Sequence, residues 1–162
     1  MICLLKYLYY NYKKQKRGAG LMNILVIDGM GGGIGKSIIE SIKHLKNEPG
    51  NIEITAAGTN SAATSAMVKA GADNGATGEN AVAYNCARAD YIIGVIGILV
   101  ANSMHGEISP KIAEAVSSSP AHKILIPFDK CNVTVLGLAE NSVQAYISGI
   151  ADAICKKSKN KS

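Results

Sequence analysis

One stretch near the amino end, residues 23–37, restricts the fold of this chain more than any other. An apolar run of strand length, residues 23–28, is followed by five glycines within the seven residues 29–35. The helical pattern that comes next places five apolar side chains on one face: Ile34, Ile38, Ile39, Ile42 and Leu45. A strand, a glycine turn and a helix in this order direct backbone N–H groups and the positive end of the helix at an anion, usually a phosphate. The stretch therefore predicts a site for a phosphate-bearing ligand.

The size and composition of the chain indicate one folded domain. The sequence has 162 residues and is 48% hydrophobic, which is enough to bury a core. No apolar stretch is long enough to span a membrane. The four cysteines form no Cys-x-x-Cys pair, and no histidine is spaced to join them, which predicts reduced thiols and no structural zinc. We therefore expect a cytoplasmic protein without a metal or a membrane partner, and a domain of this kind is often a homodimer.

The net charge of +5 comes from the two ends of the chain. The first 21 residues hold five of the 17 basic residues and no acid, and residues 156–162 hold four lysines. Eight basic residues then face all 12 acidic residues in the middle of the chain, so residues 22–155 have a net charge of −4. A nucleic-acid binder needs a basic surface on its folded body, so we expect no nucleic-acid partner.

The charge pattern also suggests where the domain begins and ends. In residues 1–21 the apolar, tyrosine-rich part precedes the basic cluster, the reverse of a secretory signal. We expect this extension to be disordered or not translated at all, because Met22 immediately precedes the first strand and codons for residues 16–20 can spell a ribosome-binding sequence. The predicted domain covers residues 22–155, and residues 156–162 are predicted to be a frayed basic tail.

The rest of the chain alternates between strand and helix patterns. Further strands are predicted at residues 52–57, 90–97 and 122–127, and helices at 61–70, 79–89, 110–118 and from 142 onward. This alternation predicts a Rossmann-like three-layer α/β/α fold with a mostly parallel sheet. Residues 133–138 follow the preceding strand too closely for a crossover helix, so we expect an antiparallel hairpin there. Residues 73–78 are predicted to be a loop.

Capping residues and one apolar stripe refine the helices. The predicted N-caps are Thr59 or Asn60, then Thr77, Ser109 before Pro110, and Asn141 with Gln144 as its capping-box partner. Gly71 is predicted to end the helix at residues 61–70. The last helix is expected to bury Val143, Ile147, Ile150, Ala151 and Ile154.

Ligands of parallel α/β sheets bind beyond the carboxyl ends of the strands, near a switch in strand order. The loops that leave those ends are predicted at residues 28–37, 58–64, 97–105 and 127–132. They contain the residues that we expect to bind the phosphorylated ligand: Asp28, Gly29, Gly31, Gly32, Gly33, Ile34, Gly35, Lys36, Ser37, Gly58, Thr59, Asn60, Asn102 and Ser103.

The glycine loop alone is compatible with several functions. Its Gly29-x-x-x-Gly33-Ile34-Gly35 spacing resembles the loop of short-chain dehydrogenases, which bind NAD(P). Asp28, however, stands where those enzymes usually have a small hydroxyl residue, the second strand ends without an acidic residue, and Tyr84 meets Arg88 instead of completing a Tyr-x-x-x-Lys pair.

Residues 32–37 also resemble the end of the variant P-loop of partition-type ATPases, which bind ATP with Mg²⁺. Met30 replaces the first glycine of that pattern, Gly31 replaces its signature lysine, and Asp129 would be the residue for Mg²⁺. The interpretation that we adopt is a Rossmann-like protein that binds a nucleotide or dinucleotide phosphate at the glycine loop with little or no chemistry of its own. The remaining alternative is that the glycines serve only close packing in a structural or partner-binding module. The sequence assigns no catalytic residue.

Separated blocks of the chain together resemble one short bacterial family, catalogued as a domain of unknown function, number 3842. The blocks are residues 26–36, 58–60, 69–72, 75–80, 101–107 and 123–127. The resemblance covers residues 22 to about 154. It implies a Rossmann-like fold and brings no activity, substrate or catalytic residue.

A few more side chains have the chemistry to act near this crevice. The carboxylates are Asp28, Glu79, Glu107 and Asp129, and the other candidates are His105 and Cys131. Asp28 is the strongest of them because it ends a strand at the mouth of the glycine loop. Its carboxylate would either accept loop N–H groups and rigidify the turn or bind a metal.

Overall fold

The computed structural model describes residues 21–47, 51–128, 133–138 and 141–159. These residues contain a five-stranded sheet in the order β3-β2-β1-β4-β5, in which every neighbouring pair is parallel. The strands are β1 Leu21–Asp28, β2 Asn51–Gly58, β3 Asn74–Thr77, β4 Tyr91–Val95 and β5 His122–Ile126. The predicted α/β fold with a parallel sheet is confirmed.

Helices connect the strands and follow the last one. The α-helices are α1 Gly33–Ile42, α2 Ser61–Ala70, α3 Glu79–Cys86, α4 Pro110–Ser118, α5 Val143–Ser148 and α6 Ile150–Lys159. Short 3-10 helices cover Lys43–Asn47, Ile96–Leu99 and Met104–Gly106. The segment after β4 thus consists of two short 3-10 helices with a turn between them.

Helices cover both faces of the sheet. Successive side chains of a strand point to opposite faces, so one strand can contribute to two cores. Ile24 and Val26 of β1 pack in one core with apolar residues of α1, α2, α5 and α6. Leu25 and Ile27 pack in a second core with α3 and α4. Both cores together bury the part of β1 from Ile24 to Ile27. The apolar stripe of the carboxyl-terminal helices is confirmed, since Ile147, Ile150 and Ile154 are buried in the first core and Val143 and Ala151 pack against it.

The strand order changes direction beside β1. From β1 the chain adds β2 and β3 on one side, and it then returns through α3 to place β4 and β5 on the other side. The order 3-2-1-4-5 matches the first five strands of the doubly wound order 3-2-1-4-5-6. The switch point lies between the carboxyl ends of β1 and β4, and this is where a ligand crevice is expected.

Two predicted backbone segments are wrong. The expected loop at residues 73–78 contains β3, which pairs with the end of β2, for example at Ala56 and Gly75. The expected antiparallel hairpin is not found, because residues 133–138 form no strand and turn at Leu136 and Gly137 instead. Gly137 has a φ of 82°, a left-handed conformation that bends the chain. The link at residues 129–132, including Asp129 and Cys131, lies outside the described residues.

The helix caps match the predictions in part. Asn60 caps α2 by accepting the Ala63 N–H at 2.9 Å, and Ser109 caps α4, as expected. Gly71 ends α2, also as expected.

Two predicted caps are wrong. Thr77 does not cap α3, since its hydroxyl bonds Thr64 at 2.7 Å and Gly78 is the N-cap. Ser142 rather than Asn141 caps α5, and Gly149 separates α5 from α6.

The predicted ends of the domain stay predictions. The extension over residues 1–21 lies outside the described residues except for Leu21, which begins β1. At the other end α6 continues to Lys159, so part of the predicted tail is helical, and residues 160–162 lie outside the described residues. None of the helices in the described ranges has the length and apolar character needed to cross a bilayer.

Candidate functional site

Asp28 at the end of β1 fixes the shape of the glycine loop. Its side chain is buried, and its two oxygens accept hydrogen bonds from the N–H of Gly29 at 2.8 Å and from the N–H of Gly35 at 2.6 Å. Gly35 lies in the first turn of α1, and the N-cap Gly32 has no side chain to cap that helix. The Asp28 carboxylate therefore provides the cap and holds both ends of the loop, which is the first of the two roles predicted for it.

The environment of Asp28 shifts its acidity. Burial raises the pKa of the carboxyl group, the two N–H hydrogen bonds oppose that change, and the charge of Glu107 adds to it. The net effect is a pKa above the ordinary value of 3.8.

Three glycines of the loop are packed against other parts of the protein. A Cβ atom added at Gly32 would lie 2.6 Å from the Cα of Ala63, and Gly32 has a φ of +69°. One added at Gly35 would lie 2.7 Å from the Cβ of Asp28. One added at Gly29 would lie 2.9 Å from an oxygen of Glu107. These packed glycines (Gly29, Gly32 and Gly35) let the loop close on its neighbours.

The other two glycines of the loop face open space. A Cβ atom added at Gly31 or Gly33 would meet nothing within 4 Å. We call this pair the open glycines. Gly33 and Ile34 begin α1, so their N–H groups lie in the first turn, where a helix has no carbonyl acceptor of its own for them.

A cavity of about 680 Å³ lies beside the open glycines, between the glycine loop and the segment that follows β4. It occupies the switch point between β1 and β4. Eight of the predicted ligand-binding residues line it: Asp28, Gly29, Gly31, Gly32, Gly33, Ile34, Asn102 and Ser103. Its remaining wall is mostly apolar and is made by Met30, Val95, Val100, Ala101, Met104, His105 and Phe128.

The other predicted residues do not line this cavity. Lys36 is exposed, and its ammonium lies 3.9 Å from a carboxylate oxygen of Glu40 on the same helix. Ser37 donates its hydroxyl to the Gly33 carbonyl at 3.0 Å. Gly35 packs on Asp28. Gly58 ends β2, where a Cβ atom would lie 2.6 Å from the Thr64 nitrogen.

Thr59 and Asn60, at the end of β2, bond a carboxylate from a distant loop. One oxygen of Glu107 accepts hydrogen bonds from the Thr59 hydroxyl, from Asn60 Nδ2 at 3.0 Å and from the Met30 N–H at 2.8 Å. Asn60 Nδ2 also donates to the Met30 carbonyl at 2.9 Å. We call these four residues the Glu107 bridge. It ties the glycine loop, the end of β2 and the segment after β4 together.

The bridge lowers the pKa of Glu107. Partial burial of the side chain raises its pKa, but the hydrogen bonds from Thr59, Met30 and Asn60 outweigh burial and hold the pKa below 4.5. The sequence marks Glu107 as one of several carboxylates near the crevice but contains no sign of its partners. The partners lie 47 to 77 residues away along the chain, and only the fold brings them together.

Backbone strain is concentrated around the cavity. Four non-glycine residues among those described have a positive φ: Met30, Asn102, Met104 and His105. All four line the cavity. For non-glycine residues this backbone conformation has a free-energy cost, so it persists only where the surrounding structure holds it in place. Residues of this kind cluster at functional sites.

The other candidate groups have simpler surroundings. Glu79 accepts the Ser109 hydroxyl at 2.5 Å and pairs with Lys111 at 3.2 Å, on the surface beside the start of α4. His105 is exposed at the rim of the cavity. Within the described ranges no group of three histidine, cysteine or acidic side chains is arranged to hold a metal ion.

A second cavity, of about 550 Å³, lies at the opposite edge of the sheet. Its wall includes Glu53, Thr55 and Asn85, toward the amino ends of the strands and away from the glycine loop. Ligands of parallel sheets bind at the carboxyl ends, so we assign the candidate site to the cavity beside the open glycines.

Comparison with known proteins gives a family and no activity. No curated protein matches the chain. A family model described as "Domain of unknown function (DUF3842)" matches residues 23–159. That range is most of the chain, and the chain belongs to this family, as the resemblance of its separated blocks predicts.

Proposed function

Because membership of the DUF3842 family assigns no activity, we propose from the geometry of the site that the protein binds a nucleotide or dinucleotide phosphate in the cavity beside the open glycines. We further propose that it does so in the cytoplasm, with the small phosphorylated ligand as its partner. The homodimer suggested by its composition stays a prediction.

The observation that carries this proposal is the pairing of open glycines with a cavity at the switch point. Gly31 and Gly33 leave room for a phosphate to approach the backbone, and the N–H groups of Gly33 and Ile34 belong to the first turn of α1. Such N–H groups, together with the helix dipole, attract anions. At glycines that served packing alone, an added Cβ atom would collide with a neighbouring residue, as it would at Gly32 and Gly35.

The rest of the cavity suits the remainder of a nucleotide. Val95, Val100, Met104 and Phe128 give the wall away from the glycine loop an apolar character on which a flat ring can pack. Asn102 and Ser103 line the same cavity and carry polar side chains. A volume of about 680 Å³ is within the range of small-molecule sites.

The catalytic alternatives have less support from the site. A P-loop triphosphatase needs its lysine at the phosphates, whereas Lys36 is exposed, lies outside the cavity and pairs with Glu40. A dinucleotide-dependent reductase usually has an acidic residue at the end of its second strand, where this chain has Thr59 and Asn60. Binding without assigned chemistry is therefore the function that we propose.

Thermal unfolding of the full chain with added ligands tests this proposal. NAD, NADP, ATP, ADP and AMP would each be added with and without Mg²⁺. A ligand present at about a hundred times its dissociation constant stabilises the folded state by about 2.7 kcal/mol. In a protein of this size, that raises the unfolding midpoint by several degrees.

A pair of variants locates the bound ligand. Gly33→Leu fills the open space at the first position of α1 and should abolish the shift. Ser61→Leu places the same side chain at the exposed first position of α2, outside the cavity, and should leave the shift intact. Absence of a shift with every nucleotide, or a shift that survives in Gly33→Leu, would contradict the proposal.

A further inference from the structure

We infer that the cavity takes a phosphate ester with a single nucleoside-sized group, and that the Glu107 bridge excludes dinucleotides by closing the half of the crevice above β2. This inference rests on the proposed function and narrows its ligand class.

A dinucleotide needs both halves of the crevice at a switch point. In doubly wound sheets it lies across the carboxyl edge, with its pyrophosphate at the glycine loop and its two nucleosides on opposite sides. One nucleoside lies over the end of the second strand, where an acidic residue bonds its ribose. In this chain that place is the end of β2, at Gly58, Thr59 and Asn60.

The Glu107 bridge occupies that half. The Thr59 hydroxyl and Asn60 Nδ2 both donate to Glu107, and Asn60 Nδ2 also donates to the Met30 carbonyl at 2.9 Å. The Asn60 Oδ1 atom accepts the Ala63 N–H at 2.9 Å. The polar atoms that would recognise a ribose are therefore already bonded within the protein. Neither Thr59 nor Asn60 lines the cavity, which ends at the glycine loop on this side.

Opening the half of the crevice above β2 would have a high free-energy cost, because the hydrogen bonds of the Glu107 bridge would have to break. A nucleoside above β2 would have to displace Glu107 from three donors, and the ligand would have to replace hydrogen bonds to a charged group. Gly29 shows how tightly the region is filled, since an added Cβ atom would lie 2.8 Å from the Thr59 hydroxyl and 2.9 Å from Glu107 Oε2. The carboxylate also repels a second phosphate that approaches Met30.

The half of the crevice beside β4 is open, and its wall is apolar rather than hydrogen-bonded and charged. From the open glycines the cavity extends along Val95 and Val100 to Met104 and Phe128. A ligand with its phosphate at α1 can place one ring on this apolar wall. A ligand with a second nucleoside has no equivalent space on the other side of the phosphate.

Matched ligand pairs test this inference. AMP and nicotinamide mononucleotide are the two halves of NAD, and AMP and FMN are the two halves of FAD. Calorimetric titration of the full chain should show that at least one mononucleotide binds about tenfold tighter, or more, than the dinucleotide that contains it, since the dinucleotide must break a charged hydrogen-bond network.

Variants of the bridge connect that preference to Glu107. Glu107→Ala should raise the affinity for the dinucleotide by about tenfold and change that for the mononucleotide by less than about threefold. Glu114→Ala, which removes an exposed carboxylate on α4, is the control and should change neither. If Glu107→Ala fails to fold, Thr59→Val removes one donor of the bridge at nearly constant volume and should shift the preference in the same direction.

The outcomes distinguish a failure of the single-nucleoside inference from a failure of the proposed function. A wild-type protein that binds NAD or FAD as tightly as their halves overturns the single-nucleoside inference and leaves nucleotide binding in place. A preference for mononucleotides that neither Glu107→Ala nor Thr59→Val alters overturns the role of the bridge. Binding of neither class overturns the proposed function, and the inference falls with it.

Discussion

The packed glycines and the open glycines belong to the same loop and have different physical reasons to be glycine. Gly29, Gly32 and Gly35 face protein atoms, so any side chain there would collide with a neighbouring loop, a helix or Asp28. Gly31 and Gly33 face open space beside the cavity. The comparison teaches that the glycines of one loop can have two different roles. The packed glycines let the backbone close on its neighbours, and the open glycines leave the surface of the loop accessible.

Substitution of a packed glycine should have the largest effect on stability. In Gly32→Ala the new methyl group would lie 2.6 Å from the Cα of Ala63, at a φ of +69° that alanine disfavours. Backbone atoms of α2 cannot move aside as a flexible side chain can. We expect the free energy of unfolding to fall by about 2–4 kcal/mol, measured by urea denaturation. A loss of less than about 0.5 kcal/mol would show that the loop readjusts freely.

The next largest effect should come from Asp28, which holds the packed half of the loop. In Asp28→Asn one amide oxygen can accept one N–H, but the amide nitrogen then faces the other N–H of Gly29 or Gly35. A buried donor left without an acceptor costs about 1–3 kcal/mol. Urea denaturation at neutral pH should show that loss, and a variant as stable as the wild type would refute the capping role of Asp28.

The Glu107 bridge should contribute less, and its contribution should depend on pH. Glu107→Gln weakens three hydrogen bonds to a partly exposed carboxylate, with an expected loss of about 1–2 kcal/mol at pH 7. Because the folded-state pKa of Glu107 lies below 4.5, its contribution is present above pH 4.5 and is lost as the pH falls through the folded-state value. Stability measured from pH 7 to pH 3 should therefore fall more steeply in the wild type than in Glu107→Gln. Parallel curves would show that the bridge does not stabilise the ionised form.

The smallest effect should come from an open glycine. In Gly33→Ala the methyl group meets nothing within 4 Å, and alanine restricts the unfolded chain more than glycine does. We expect a change within about 0.5 kcal/mol, of either sign, in the same urea assay. A large loss would erase the distinction between the two sets of glycines. If Gly33→Ala leaves stability unchanged and lowers the affinity for nucleotide, then glycine is needed at this position for ligand binding and not for folding.

Elements with short-range signals are predictable from the sequence. β1, the glycine loop and α1 follow one another within a few residues, and each has a clear local pattern. The caps at Asn60 and Ser109 are equally local, since each bonds an N–H three residues later. The parallel sheet follows from the alternation of such elements.

Elements that depend on distant partners are not predictable in the same way. The residues of β3, Asn74–Thr77, have little strand propensity, and they become a strand because the end of β2 offers them an edge. Residues 133–138 follow β5 closely, which suggests a hairpin strand, but Gly137 turns the chain.

The residues of the candidate site also differ in whether a local sequence pattern or a distant partner determines their position. The residues from Asp28 to Ile34 could be placed at a ligand crevice from local pattern alone, and all seven of them line the cavity. Thr59 and Asn60 follow a strand in the expected way, but their side chains bond Glu107 instead of the cavity. The apolar wall formed by Val95 and Phe128 exists only because β4 and β5 lie beside β1 on the side away from β2.

The central position of β1 also affects how the chain acquires its structure during synthesis. β1 is made before every other described strand, and one of its edges can pair with β2 soon afterwards. Its other edge stays open until β4 has been made, because Ile24 pairs with Tyr91. Exposed apolar edges of this kind invite aggregation in a partly folded chain. The cavity also depends on this step, because Val95 of β4 and the residues that follow it form part of its wall.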